Sequence, residues 1–346
     1  MRIAQLAPLW KTVPPKQYGG TELVVSNLTE ELVKQGINVT LFACGDSQTS
    51  AHLVKVIEKP MYDFVGRFSW NTIQPYEFLT YNEFFKRVSD FDIVHNHMGF
   101  HPTVFAQLLP IPMITTLHSS TIPDFPHLIN SVKDNLYVSI SNAQRSIIPK
   151  LNYIRTIYHG IETNKFHFKD KQDNEYLFFI GSLTPQKGID IAVKAIHELG
   201  EKLIIAGEIR KEYEDFLNEK VFPYVDGKQI KFVGEIAFKQ KCELYAHAKA
   251  LLFPIQWNEA FGLVMVESLA SGTPVVAYKN GSVPEIITNG QTGYIVENYE
   301  DFKKAIKNIH AISRKTCREM AQQRFDVRVM TKNYINLYKQ FVSKKS

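Results

Sequence analysis

"WNEAFGLVMVE", from Trp257 to Glu267, places two glutamates eight positions apart with a Phe-Gly-Leu step between them. Leu263 to Ala270 has the apolar make-up of a short helix, and "SGTP" at Ser271 to Pro274 ends it. A helix start carries unpaired backbone N–H groups and the positive end of the helix dipole. Such a start binds phosphate, and Gly262 lets the backbone come close to a ligand. Were the stretch from Glu259 to Glu267 wholly helical, it would span about 12 Å, roughly a pyrophosphate with a sugar ring at each end. The amides of Phe261, Gly262 and Leu263 would then hold phosphate, with Glu267 accepting hydroxyl hydrogen bonds on one side and Glu259 on the other. On this stretch alone, an exposed loop glutamate and a partly exposed helix glutamate are an equally good reading, because anion-binding helix starts are common.

Working outward, "ALLFP" (250–254) precedes the stretch and "PVVAY" (274–278) follows it, both short apolar runs suited to buried strands. The series continues towards the N-terminus with "IKFVG" (230–234), "KLIIAG" (202–207), "YLFFIG" (176–181), "LYVSIS" (136–141), "PMITTLH" (112–118), "DIVHNH" (92–97), "NVTLFAC" (38–44) and "RIAQLA" (2–7). Amphipathic stretches such as "GTELVVSNLTEELVKQG" (20–36) separate most of them. This alternation predicts parallel sheets covered on both faces, an α/β architecture. About eleven strands exceed one comfortable doubly wound sheet, and the polar patch "NKFHFKDKQDNEY" (164–176) has the composition of a linker. The expected organisation is an N-terminal Rossmann-like domain over 1–163, a C-terminal one over 164–325, and a last helix within 326–346 that crosses back to the first domain. Ligands of open parallel sheets bind at the carboxyl ends of the strands. Gly19-Gly20, His118, Gly181, Gly207-Glu208, Gly234-Glu235 and Glu259 all fall at or just after such ends, so a cleft between the domains is the expected site.

Composition agrees with a soluble globular protein. The 346 residues are 45% hydrophobic and 22% charged, with 40 Lys and Arg against 35 Asp and Glu. A formal charge of +5 suits anionic substrates or loose contact with an acidic membrane face, and no dense Lys/Arg stripe points to nucleic acid. No apolar run is long enough to span a membrane, and "MRIAQLAPLWKTVPPK" lacks the apolar core of a signal peptide, so a cytoplasmic location is expected. The basic tail "KQFVSKKS" is taken as a solvated end, and Cys44, Cys242 and Cys317, which form no CxxC pair, as buried thiols.

With these residues in view, the chain resembles retaining glycosyltransferases of the GT-B type, specifically the large GT4 group. Glu259 to Glu267 is the E-x7-E motif of that group, followed by "SLASGTPVVAYKNGSVPEIITNGQTGYIV". "YGGTE" (18–22), "DIVHNH" (92–97), "LHSS" (117–120), "ISNAQR" (140–145), "YHGIE" (158–162) and "GSLTPQKG" (181–188) extend the resemblance over nearly the whole chain. The opening forty or so residues look like a bacterial subgroup that uses UDP-glucose. The resemblance implies that Glu267 holds the ribose diol of the nucleotide, and Glu259 the donor-sugar hydroxyls near C3. It implies that Phe261, Gly262 and Leu263 bind sugar and pyrophosphate through their amides, and that Lys187 neutralises the pyrophosphate. Gly19-Gly20 would close over it, His118 would lie beside the sugar's C6 hydroxyl, and Gly234, Glu235 and Ile236 would flank the base. Ser182 stands where the group usually has arginine; it offers a neutral hydrogen bond, and Arg210 on the next strand-end loop is a candidate second cation.

Other patterns carry less. Asp90-Phe91-Asp92 matches the Asp-x-Asp by which a different glycosyltransferase fold binds metal, but it lies in the acceptor-side half and is read as a decoy. His95 and His97 share a strand face and, with His101, have the residue type of a zinc site but no completing cysteine or carboxylate; a place near the acceptor is the better reading. The aromatic-rich stretch 62–85 suits either the N-domain core or a sugar platform. A dehydrogenase would need Gly-x-Gly-x-x-Gly after a strand, and a P-loop kinase its Gly-x-x-x-x-Gly-Lys; neither occurs. The expected activity is metal-independent transfer of a hexose, with retention, from a nucleotide sugar (UDP-glucose) to an acceptor hydroxyl, with no cofactor and no dedicated protein base. The acceptor stays open among a lipid-linked saccharide, a polysaccharide, a pterin or another small molecule. The alternatives are an epimerase or hydrolase on the same fold, and a catalytically weak nucleotide-sugar-binding protein.

Overall fold

The computed structural model describes residues 1–65, 70–119, 126–170 and 176–342. Ser120 of "LHSS", part of the aromatic-rich stretch, residues 171–175 of the polar patch and the last four residues of the basic tail lie outside the described residues. The chain forms two compact units, one of residues 1–160 with 327–346 and the other of residues 161–326.

Unit 1 is built on a seven-stranded parallel sheet. Its strands are β1 (Arg2–Leu6), β2 (Asn38–Cys44), β3 (His52–Ile57), β4 (Ile93–Asn96), β5 (Met113–Thr116), β6 (Leu136–Ser139) and β7 (Tyr153–Thr156), in the order β3-β2-β1-β4-β5-β6-β7. Side chains alternate between faces along each strand. On β2, Leu41 and Ala43 join Val25 of helix α1 (Gly20–Lys34), whereas Phe42 joins Tyr81 and Phe84 of helix α2 (Trp70–Phe85). Helices therefore cover both faces, which is why the central strands β4 and β5 are buried along their whole length.

Unit 2 repeats the plan with six parallel strands: β8 (Tyr176–Ile180), β9 (Lys202–Ala206), β10 (Ile230–Phe232), β11 (Leu251–Phe253), β12 (Val275–Tyr278) and β13 (Gly293–Val296), in the order β10-β9-β8-β11-β12-β13. Strand order reverses between β8 and β11, the position where such sheets open a crevice at their carboxyl ends. The helices that serve this edge are α3 (Ile189–Leu199), α4 (Phe238–His247) and α5 (Leu263–Ala270); α6 (Arg314–Phe325) packs on α5. The last helix, α7 (Val327–Val342), belongs to unit 1 and packs on α1.

Three strands escape the reading of apolar runs: β3, β7 and β13. Each is an edge strand of its sheet, and each mixes buried with half-buried or exposed positions instead of being buried throughout. The crossing between units also differs from the expected linker. It falls at Gly160–Ile161 because Ile161 pairs with Asp326, its amide donates to Phe325 O at 2.9 Å, and Thr163 Oγ1 donates to Asp326.

Gly188 starts α3 with a φ of 70°, and a Cβ there would lie 2.0 Å from Pro254 O. Gly188→Ala is expected to cost at least the 1–2 kcal/mol or so of a left-handed alanine, plus the displacement of the β11 loop. A lower melting temperature is the outcome to look for in a thermal scan.

Candidate functional site

In unit 2 the strand-end loops are knitted together by main-chain bonds. Gly181 N donates to Ala206 O (3.1 Å), Leu183 N to Glu208 O (3.0 Å), Gly207 N to Gly234 O (2.9 Å) and Gln256 N to Gln186 O (2.8 Å). The loops bearing Ser182, Lys187, Gly234 and Glu259 are thereby fixed at one edge of the sheet. Glu235 is exposed and Ile236 half-buried on the loop that leads into α4.

The stretch from Trp257 to Glu267 is not wholly helical. Glu259 to Phe261 are loop, Gly262 takes a φ of 77° as the residue before the helix, and α5 begins at Leu263. The left-handed turn at Gly262 lets the loop run into the helix without a side chain in the way; no side chain caps the helix start. Serine and asparagine from "YKNGS" hold the loop: Ser282 N donates to Glu259 O (2.9 Å), Ser282 Oγ to Phe261 O (2.9 Å) and Asn280 Nδ2 to Ile255 O (2.6 Å).

Lys187 and Glu259 are brought into direct contact, with Nζ 2.6 Å from Oε2 and side-chain exposures of 21% and 12%. Trp257 Nε1 donates to the same oxygen at 3.2 Å, and Lys187 Nζ stands 5.1 Å from the Trp257 ring centroid. Glu267, on the second turn of α5, is 3% exposed. Lys241 Nζ donates to its Oε1 at 2.6 Å and Tyr245 OH to its Oε2 at 3.1 Å. Lys241, Tyr245 and Trp257 escape the sequence reading; the signal available was the i, i+4 spacing of Lys241 and Tyr245 on one helix face. Ser182 is buried at 7% exposure, and Arg210 is engaged by Glu208 at 3.4 Å.

Gly19, Gly20 and His118 belong to unit 1. Gly20 opens α1, and His118 follows β5 in a row of imidazoles. His97 Nε2 lies 3.0 Å from Gln5 Oε1, His97 Nδ1 lies 2.9 Å from His118 Nε2, and His118 Nδ1 lies 3.3 Å from His159 Nε2. An amide oxygen only accepts, so His97 carries its proton on Nε2; His118 must then donate from Nε2, and His159 likewise. Burial pushes the His118 pKa down to about 3 and holds those of His95, His97 and His159 well below the ordinary value, so the row is neutral near pH 7. Both ring nitrogens of His118 are thus engaged, and contact of its ring with a sugar hydroxyl requires the exchange of one of these bonds. His95 sits on the same strand face, its ring 3.9 Å from that of His97, and bonds Thr116 Oγ1 (2.7 Å) and Tyr338 OH (2.6 Å). His101 stands apart, 3.9 Å from Glu77, and among the described residues no three His, Cys, Asp or Glu side chains group to hold a metal ion. Asp92 is committed to Arg2, accepting from its main-chain N and its Nη2 at 2.8 Å each. Of the aromatic stretch, Tyr81 and Phe84 are core, while Tyr62, Phe64, Phe78 and Phe85 are exposed. Cys44, Cys242 and Cys317 are buried thiols. Among the described residues, no helix is long and apolar enough to cross a membrane.

Comparison with known proteins adds the following. Residues 160–325 match the glycosyl transferases group 1, and residues 18–165 match glycosyltransferase family 4. The chain is 31% identical over 237 residues to an uncharacterized glycosyltransferase of Methanocaldococcus jannaschii, covering 62% of this chain and 64% of that protein, just under two thirds of its length. In structure it is similar to a sucrose-phosphate synthase of Thermosynechococcus elongatus (TM-score 0.81, 19% identity, 99% of each chain). It is also similar to Anabaena HepE in complex with UDP-glucose (TM-score 0.75, 16% identity, 98% of this chain and 100% of that one). These likenesses give the fold, two Rossmann-like domains of the GT-B kind.

Proposed function

We propose that this chain, a group 1 glycosyltransferase whose N-terminal half is of the family 4 type, moves a hexose from UDP-glucose to an acceptor hydroxyl with retention and without metal. The carrying observation is the Lys187–Glu259 pair beside the uncapped start of α5, with Glu267 one turn further on. A pyrophosphate and a hexose need a cation, orphan amides and a hydroxyl-accepting carboxylate within one small region, and this edge of unit 2 supplies them. The UDP-glucose complex of HepE supports the choice of donor.

In the proposed reaction, the pyrophosphate takes Lys187 from Glu259, and the freed carboxylate accepts from the sugar hydroxyls. The bond between the anomeric carbon and the phosphate oxygen breaks. The acceptor oxygen bonds the same face of that carbon, and its proton passes to the departing phosphate oxygen. Lys187, Ser182 and the amides of Gly262 and Leu263 stabilise the negative charge left on UDP. The base would lie against Gly234, Glu235 and Ile236, and the ribose against Glu267. Gly19-Gly20 and His118 are assigned to the closing loop and to the sugar's C6 side. The acceptor is a glycan, a lipid-linked saccharide or a small molecule taken up by unit 1, with loose contact to an acidic membrane face as part of the proposal.

The test is calorimetric titration with UDP and UDP-glucose in EDTA, followed by assay against an acceptor mixture with product analysis by mass spectrometry. Micromolar binding of UDP and glycoside formation unaffected by EDTA are expected. Loss of transfer that manganese restores would remove the metal-independent assignment. Free glucose without glycoside would favour a hydrolase, and tight binding without any turnover a binding protein.

A further inference from the structure

Glu267 is a buried carboxylate whose two oxygens are each engaged by a different donor from α4. Lys241 Nζ donates to Oε1 at 2.6 Å, and Tyr245 OH to Oε2 at 3.1 Å. Neither donor is loosely placed. The Lys241 side chain is 18% exposed, and its Nζ lies 5.4 Å from the Phe238 ring centroid and 5.9 Å from that of Phe166, two rings that meet edge to face at 5.3 Å. Tyr245 is fully buried, edge-on to Phe178, and its main-chain oxygen accepts from Thr273 Oγ1 at 2.5 Å.

A carboxylate has about four acceptor positions, two on each oxygen. One on each is filled, so one on each remains, the arrangement that accepts two hydroxyls on neighbouring carbons. The charge matters as much as the geometry. A carboxylate 3% exposed and stripped of its cation would leave a buried charge without a partner, which is strongly disfavoured. Lys241 therefore does for Glu267 what a plain hydrogen-bond donor does not: it sets an opposite charge 2.6 Å from the buried carboxylate.

Resting on the donor site proposed above, we infer that Lys241 and Tyr245 are positioning residues that set Glu267 to read a vicinal diol, so that the site selects ribonucleotides over 2′- or 3′-deoxyribonucleotides. Neither side chain touches the nucleotide in this arrangement; both act through Glu267.

The experiment is titration of UDP, 2′-deoxy-UDP and 3′-deoxy-UDP into the wild-type chain and into Lys241→Met, Lys241→Arg and Tyr245→Phe. Wild type is expected to prefer UDP by about tenfold or more, since a site built to bond a hydroxyl discriminates against its absence. Lys241→Met is expected to lower that preference to about threefold or less, chiefly by weakening UDP, on the loss of a charged acceptor. Lys241→Arg is expected to restore most of it, and Tyr245→Phe to narrow it less than Lys241→Met. If UDP binds but the preference is the same in Lys241→Met and Tyr245→Phe as in wild type, the inference is wrong while the donor site stands. If both variants weaken UDP and its deoxy analogues by one common factor, their role is structural and the inference is equally overturned. If wild type binds none of the three, the donor site fails and takes the inference with it.

Discussion

Lys187→Ala is expected to lower kcat/KM for the nucleotide-sugar donor by about tenfold to hundredfold, because a charge-assisted hydrogen bond to phosphate contributes about 1.5–3 kcal/mol. Ser182 occupies the position of the expected second cation, and Arg210 is engaged by Glu208. In the proposed reaction the motif therefore leaves Lys187 to meet the charge on the leaving diphosphate. The 2.6 Å bond to Glu259 adds a contrast. In the proposed site Glu259 competes with the pyrophosphate for the same ammonium group, so Glu259→Gln is expected to tighten UDP binding a few-fold while reducing turnover. Tighter binding of product with slower chemistry separates a positioning carboxylate from a merely structural one. Steady-state kinetics and UDP titration of both variants check the pair of expectations. A Lys187→Ala enzyme with wild-type kcat/KM would show that the phosphate is held somewhere else.

Arg314→Met is expected to remove about 3–5 kcal/mol from the stability of unit 2, the cost typical of breaking a buried ionic hydrogen-bond set. Arg314 is 6% exposed. It donates to Lys169 O (2.7 Å), Ala248 O (2.9 Å), Ala246 O (2.7 Å) and Thr273 Oγ1 (2.8 Å). A longer contact reaches Ser271 O at 3.4 Å. Ala246 and Ala248 close α4 and Ser271 closes α5, so one cation satisfies the orphan carbonyls at the negative ends of the two helices that carry Lys241, Tyr245 and Glu267. Methionine keeps the length of the side chain and supplies no donor. At roughly 2–4 °C per kcal/mol for a domain of this size, the melting transition of unit 2 should fall by about 6–20 °C. A change within 2 °C or so would mean that water replaces the guanidinium without loss.

What the chain discloses unaided follows burial. β8 and β11 lie in the middle of their sheet, so their sequences are unbroken apolar runs bounded by turn residues. β13, half wet at the sheet edge, carries no such run and passes unnoticed. The glutamates of the opening stretch are legible because a fixed spacing and a glycine mark them. Their partners are not: Lys241 reaches Glu267 across 26 positions, and Lys187 reaches Glu259 across 72. The i, i+4 spacing of Lys241 and Tyr245 in "FKQKCELYAH" puts them on one face, but nothing local names Glu267 as their partner, and Lys239 two residues earlier is exposed. Gln5 is similar. A polar residue in the middle of β1 reads as a blemish until His97, 92 positions away, is found bonded to it.

Unit 1 is discontinuous along the chain, and unit 2 is not. During synthesis from the N-terminus, residues 161–326 can complete their domain while the first domain still lacks α7. Until that helix arrives, Thr116 Oγ1 is without the Tyr334 hydroxyl that it meets at 2.8 Å, and His95 Nδ1 without that of Tyr338 at 2.6 Å. Two polar groups in the centre of the first sheet then stay wet, and the sheet stays open on that side. The domain that begins first is finished last, and the two tyrosines of α7 are the closing pieces: maturation of the first half waits on the synthesis of that helix.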